Sequence, residues 1–307
     1  MSVEGSKRAI IAALLANAGI ALAKFVGFLI TGSSSMLAEA VHSVADTSNQ
    51  GLLLLGQQRA EKKADRLHPF GYGRSRYFYS FVVALVLFSL GSLFAIYEGI
   101  HKIQHAHDHD LESPLVAVII LGLAICLEGY SFTTAYRESK PLKGKASWWR
   151  FIRNSRSPEL PVVLLEDSGA LIGLALALAG VGLTMLTGDA VWDGIGTLAI
   201  GVLLGVIATV LIVEMKSLLI GEGATEDEEQ ALLTALAAAG VDRVIHMKTQ
   251  YLGPEELLVA AKIAIPAGAD AITVAHTIDA AEVRVRSAVP QARVIYLEPD
   301  IDRGTGN

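Results

Sequence analysis

A chain of 307 residues that is 52% hydrophobic and 18% charged, with a mean hydropathy of +0.47, is too apolar for an ordinary soluble enzyme. Its formal net charge of -6 argues against a nucleic-acid partner, and its single cysteine, Cys126, leaves neither a disulfide framework nor a cysteine zinc cluster. The apolar mass falls in blocks of bilayer length, so the solvent for most of this chain is lipid.

Met1 to Arg8 is short and mixed in charge, and the apolar run behind it is too long for a signal-peptide core, so it is expected to be a retained first span. Six spans are predicted, over Ile10 to Thr31, Met36 to Gln57, Phe78 to Ile100, Pro114 to Tyr136, Pro161 to Leu186 and Val191 to Leu219. The segments after spans two and four are rich in Lys and Arg, with Arg59, Lys62, Lys63, Arg66, Arg74 and Arg76 in the first and Arg137, Lys140, Lys143, Lys145, Arg150, Arg153 and Arg156 in the second. The loops after spans one and five have no Lys or Arg, and Lys102 is the single one after span three. The positive-inside rule then puts both basic loops and both termini in the cytoplasm.

After Gly221 the pattern becomes that of a soluble domain. Thr225 and Glu228 form a capping-box signature before an alanine- and leucine-rich helix that stops at Gly240. Strands are expected over Val241 to Tyr251 and Leu257 to Ile265, around the turn Leu252-Gly253-Pro254; a helix over Ala271 to Val289 and a strand over Arg293 to Glu298 follow. The fold class expected is an α-helical membrane protein, six transmembrane helices (1-220) followed by a cytoplasmic α+β domain of order α-β-β-α-β (221-302) and a frayed tail (303-307). A domain of this size buries a modest core, which makes oligomerisation an expectation.

The informative residues are charges placed where lipid should be. A mid-span aspartate costs roughly 2.5 to 3.5 kcal/mol on insertion scales, so it needs a reason. In span two His42 and Asp46 lie four apart on one helix face, which Asn49 shares; in span five Glu166 and Asp167 are adjacent and cannot both point the same way. An imidazole nitrogen and carboxylate oxygens converging from two helices suit a divalent ion of the zinc, cobalt, iron or manganese kind. The alternative is a structural His-Asp hydrogen bond with Asp167 paired to a basic residue, against which stands the reading that no Lys or Arg lies in the middle of any span.

With these residues the chain resembles the cation diffusion facilitators. The matching features are His42-Ser43 with Asp46, the loop His68-Pro69-Phe70-Gly71-Tyr72-Gly73-Arg74, Tyr97-Glu98-Gly99 and Trp192-Asp193-Gly194, and the likeness extends into the tail, which would be metallochaperone-like. The resemblance implies a homodimeric secondary transporter without a cofactor that exports a divalent metal from the cytoplasm in exchange for protons, with His42, Asp46 and Asp167 as ligands; in a bacterium its place would be the inner membrane. The family's usual span-five histidine would fall at Val163, which cannot bind metal, and Glu166 is the nearest substitute. Leu165-Glu166-Asp167 looks like the subgroup that includes the human mitochondrial member related to the ninth zinc transporter. A site of one nitrogen and up to three carboxylates is harder than two of each and moves preference toward iron or manganese, while His42 pulls toward zinc.

Other polar residues admit two readings. Asp65 and His68 match a peripheral metal site of some family members, but Tyr72 stands where a third ligand would be, and a structural loop contact is expected first. Glu98 lies near the end of span three; Glu128, inside span four, is either a proton-relay carboxylate or a partner for a polar group on a neighbouring helix. The run His101, His105, His107, Asp108, His109 and Asp110 reads as a solvated connector before a metal-collecting loop. In the tail, His246, His276 and Glu298 fall where the family's soluble domain tends to carry zinc ligands, while Ala261 and Tyr296 occupy other such positions, so a dimerisation role is expected ahead of metal binding. The mechanism expected is alternating access with metal and protons competing for one site; the rival is a metal sensor or scaffold using the same ligands without translocation. A hydrolase lacks an identifiable nucleophile and oxyanion arrangement.

Overall fold

The computed structural model describes residues 2–31, 34–105, 114–237 and 241–302, apart from the side chains of residues 2–4, 30–31, 34–42, 45 and 114–117. The chain divides into two compact units, Met1–Gln58 with Arg76–Lys216 and Arg59–Ser75 with Ser217–Asn307.

The first unit is helical. It contains α1 (Ser2–Thr31), most of α2 (Ser34–Ala60), α3 (Ser75–Val86) continued through a π-helical turn (Leu87–Leu93) into α4 (Phe94–Gln104), α5 (Pro114–Lys143), the short α6 (Trp148–Asn154), α7 (Glu159–Thr187) and α8 (Val191–Ile220). Six segments of this set, with α3 to α4 as one, reach bilayer length, as expected from the apolar blocks. Among the described residues, five of them are also apolar enough to cross a membrane by composition, and α2 is not in that group. Its middle carries Asp46, Asn49 and Gln50, so the polar cost of this helix is concentrated where the sequence placed the site.

Between α3–α4 and α8 the helices meet on small residues. Ser92 Oγ donates to the Gly201 carbonyl at 2.8 Å, and a Cβ at Gly201 or Gly99 would stand 2.7 Å or 2.6 Å from the backbone nitrogen of Ile96 or Leu198. In lipid, where hydrophobicity drives no helix pairing, this close approach supplies the packing. The π turn lies on this contact, a feature no sequence periodicity signals. The expectation also lacked α6, which Ser147 caps by accepting from the Arg150 amide at 3.1 Å.

The second unit has the order α9 (Glu226–Ala237), β1 (Arg243–Gly253), β2 (Glu256–Ala264), α10 (Ala271–Ala288) and β3 (Ala292–Asp300), which is the α-β-β-α-β order expected. The sheet order is β1-β2-β3, with β1 antiparallel to β2 in the register Thr249 to Val259, and β2 parallel to β3 in the register Val259 to Ile295. Strand β2 alternates buried and half-buried residues, so Leu257, Val259, Ala261 and Ile263 face the core with Leu232 and Leu236 of α9 and Ala281 and Val285 of α10. The capping box forms: Thr225 Oγ1 accepts from the Glu228 amide at 3.3 Å while Glu228 Oε2 accepts from the Thr225 amide at 2.8 Å. Thr225→Ala is expected to remove about 1 kcal/mol, read as a lower unfolding temperature of this unit.

The loop Arg59–Ser75 packs within the same unit. A Cβ on Gly73 would lie 2.9 Å from the Leu252 carbonyl oxygen and 3.0 Å from the Gly253 Cα, so the loop motif and the β1–β2 turn approach backbone to backbone.

Candidate metal site

Adjacent residues on a helix point about 100° apart, and this separates the two carboxylates of α7. Asp167, 1% exposed, turns to α5 and accepts from Ser131 Oγ at 2.6 Å. Glu166 turns to α2, where its two oxygens accept from Asn49 Nδ2 at 3.3 Å and Gln50 Nε2 at 3.0 Å. Gln50 in turn accepts from Asn17 Nδ2 of α1 at 3.2 Å. A buried polar layer thus joins α1, α2, α5 and α7, in which Glu166 orients the Asn49 and Gln50 amides and Gln50 in turn orients that of Asn17.

Asn49 has one end satisfied. Its Nδ2 must face Glu166, because a carboxylate accepts and does not donate, and its buried Oδ1 then has no hydrogen-bond partner among the described residues. An orphaned, buried carbonyl oxygen beside carboxylates offers a cation a ligand, whereas both Glu166 oxygens are already engaged by amides. Asp46 is half-buried on the same helix, within electrostatic reach of Glu166. The side chain of His42, the fourth residue predicted for the site, lies outside the described residues. Among the described residues no three His, Cys, Asp or Glu side chains are grouped closely enough to hold a metal ion. Val163, at the place where the family pattern would have histidine, is fully buried.

One premise of the sequence reading is corrected. Lys24 lies well inside α1, so a basic residue does occupy a span; it is half-buried and within electrostatic reach of Glu128. Glu128 is 5% exposed and sits three residues before Ser131, on the face of α5 that meets Asp167.

A second buried group escaped the sequence reading altogether. Arg76, counted there among the bases of a loop, is 5% exposed and forms a two-point ion pair with Glu159, which is 1% exposed, with Arg76 Nη2 to Glu159 Oε2 at 2.8 Å. Ser6 of α1 also donates to Glu159, at 3.4 Å. The signal available in the sequence was a lone Glu at a helix start after a Ser-Pro break, which reads equally well as a solvated cap.

The remaining candidates are dispersed. Asp65 is the hub of its loop: Oδ1 accepts from the Leu67 and His68 amides at 3.0 and 2.8 Å, and Oδ2 accepts from Tyr72 Oη at 2.6 Å and Lys62 Nζ at 3.3 Å. These donors, Tyr72 first, hold its pKa well below the ordinary carboxylate value. The Lys62 ammonium therefore sits on the carboxylate that a peripheral metal would need. His101 and His105 stack at 4.4 Å, while His107, Asp108, His109 and Asp110 lie outside the described residues. In the second unit His246 and Glu298 line a cleft of about 430 Å³ in which Lys262 pairs with Glu298 at 3.0 Å; His276 is exposed on α10 and does not line it.

Six bilayer-length helices, with Glu166 and Asp167 buried where α1, α2, α5 and α7 are joined, define an integral membrane protein that holds ionisable groups inside its helical unit. Residues 10–220 match the cation efflux transmembrane domain, and the chain belongs to the cation efflux family. It is 34% identical over 267 residues to the proton-coupled zinc antiporter SLC30A9, mitochondrial, of Xenopus laevis, covering 86% of this chain and 47% of that protein. The Homo sapiens protein of the same name is 33% identical over 81% of the chain and 44% of its own length; metal tolerance protein C4 of Arabidopsis thaliana is 32% identical over 85% and 57%. The chain spans about half the length of the curated relatives it matches.

Proposed function

We propose that this protein exports a divalent metal cation from the cytoplasm in exchange for protons, with zinc the first candidate and iron(II), manganese or cobalt the alternatives. The ion binds between α2 and α7, the second and fifth spans, on His42, Asp46 and Asp167, with the oxygen of Asn49 or of Glu166 completing the set. The observation that carries this reading is the polar group itself: Glu166 and Asp167 buried on α7, Asp46 half-buried on α2, and the buried Asn49 Oδ1, which has no hydrogen-bond partner among the described residues, within a unit of bilayer-length apolar helices. Relatives whose printed names are zinc antiporters support zinc and protons as the exchanged ions.

Imidazole and carboxylate bind metal only when deprotonated, so protons and metal compete for these atoms. Acid on the side of release drives the ion off and reloads the ligands with protons; acid on the side of entry opposes binding. Orientation follows from the basic loops: both termini and the C-terminal domain, 221–302, face the cytoplasm, in the inner membrane if the cell is bacterial. The protein works as a homodimer, with the small α+β domain supplying part of the contact.

The test is uptake of zinc, manganese and iron(II) into proteoliposomes, at a membrane potential clamped by an ionophore. Zinc is expected to move at a rate that rises with an imposed proton gradient and falls when that gradient is collapsed. Transport indifferent to the gradient would remove protons from the mechanism. Metal bound without passage would make the protein a sensor or scaffold.

A further inference from the structure

Between Arg137 and Arg156 the chain carries seven Lys and Arg against one acid, Glu138. The positive-inside rule accounts for their side of the membrane but not for the structure they take. The segment builds α6 and folds it back on the bundle. The Trp148 ring lies 5.0 Å from that of Tyr136, which stands about 10 Å before the end of α5 at Lys143, and Phe151 and Ile152 are 7% and 8% exposed. Lys143 closes the turn, donating to the Ala146 carbonyl with its Nζ 5.2 Å from the Trp148 ring centre. The short helix therefore lies at the level of the last turns of a span, where hydrocarbon gives way to headgroups. Its outward side combines two chemistries. Trp149 is 55% exposed and Leu142 49%. Lys140, Lys145 and Arg150 are exposed beside them, and among the described residues no carboxylate pairs with these three. An indole among cations fits a surface that is apolar on one side and anionic on the other, which is what a phospholipid leaflet presents.

We propose that α6 and the turn before it bind the phosphate of an anionic phospholipid through Lys140, Lys145 and Arg150, with Trp149 and Leu142 set against its acyl chains. The leaflet is the one at the end of α5, which is the cytoplasmic leaflet on the orientation proposed above. An acidic peptide or a nucleic acid would meet the same cations, but the spans on either side of α6 hold it at the membrane surface, where phospholipid is the abundant anion. Arg153, on the same helix, reaches Glu214 of α8 at 3.3 Å. A lipid held on α6 thus fastens the ends of α5 and α8 together and stabilises the helical unit by mass action.

The experiment is thermal unfolding of the purified full-length protein in neutral detergent, titrated with phosphatidylglycerol, phosphatidylcholine or glycerol phosphate. Phosphatidylglycerol is expected to raise the unfolding temperature at concentrations where the other two do not, and less so as salt rises. The variant K140Q/K145Q/R150Q is expected to need about a hundredfold more phosphatidylglycerol for the same rise, at roughly fivefold for each base near an anionic surface. W149A should also weaken the response, because it removes the apolar half of the contact. K140R/K145R/R150K keeps the charges and should respond as the native chain does, which separates a lost site from a lost fold. K63Q/R66Q/R293Q removes three exposed bases of the second unit and should respond natively too. An equal loss in that control would reduce the effect to net charge. Equal stabilisation by phosphatidylcholine would remove the anionic headgroup from it, and equal stabilisation by glycerol phosphate would make the site one for small anions. Each of these outcomes overturns the inference, and none bears on the metal site.

Discussion

Asp167→Ala is expected to lower metal uptake by at least about a hundredfold, beyond the range over which supporting residues act, because it removes a ligand and its charge together. Asp167→Asn sharpens the test. Its side chain keeps the shape and can still accept the hydrogen bond from Ser131 with its amide oxygen, so it removes charge with little change in packing. The same loss of uptake is expected of it. Thermal unfolding in detergent should be unchanged or raised in both variants, since a buried carboxylate held for function costs desolvation that the fold does not recover. Uptake by Asp167→Asn at the native rate would show that charge at this position is not what holds the ion.

The Arg76–Glu159 pair should give the opposite pattern, a loss of stability before any loss of chemistry. Glu159→Ala takes the carboxylate from a guanidinium that is 5% exposed, and is expected to cost about 3 to 5 kcal/mol. Replacing both partners by apolar residues of similar size, Arg76→Met with Glu159→Leu, should recover most of that stability, because the penalty lies in the orphaned charge. The check is the unfolding temperature of the two variants against the native chain. The pair also has a functional consequence. It ties the start of α7 to α3, and through Ser6 to α1, eight residues or about 12 Å before Asp167 along the same helix. If the double variant is stable yet transports slowly, the pair holds α7 in register; if Glu159→Ala unfolds at the native temperature, the pair is not a structural fastening.

Much of the architecture was legible because its cause is local. The six apolar blocks mark the helices because a backbone in hydrocarbon must satisfy its own hydrogen bonds, and Thr225 with Glu228 marks a helix start because both members of the cap lie within one turn. The expense of Asp46, Glu166 and Asp167 was visible for a similar reason: insertion cost depends on a residue's own segment. Lys24 is legible in the same way, although its neighbours Ala23 and Phe25 read as uninterrupted span.

What the sequence by itself determined, then, is the six bilayer-length helices, the α-β-β-α-β order of the second unit, the family features and the intramembrane carboxylates of α2, α5 and α7. Only the tertiary structure decided how those residues are divided. Glu166 goes to the Asn49 and Gln50 amides and Asp167 to Ser131; Arg76 leaves its basic loop for Glu159; Glu128 is buried within electrostatic reach of Asp46, Asp167 and Lys24. Helical periodicity states which residues share a face of one helix, but the partner of a face is chosen by packing between segments more than a hundred residues apart in some of these pairs, and no spacing within either segment encodes that choice.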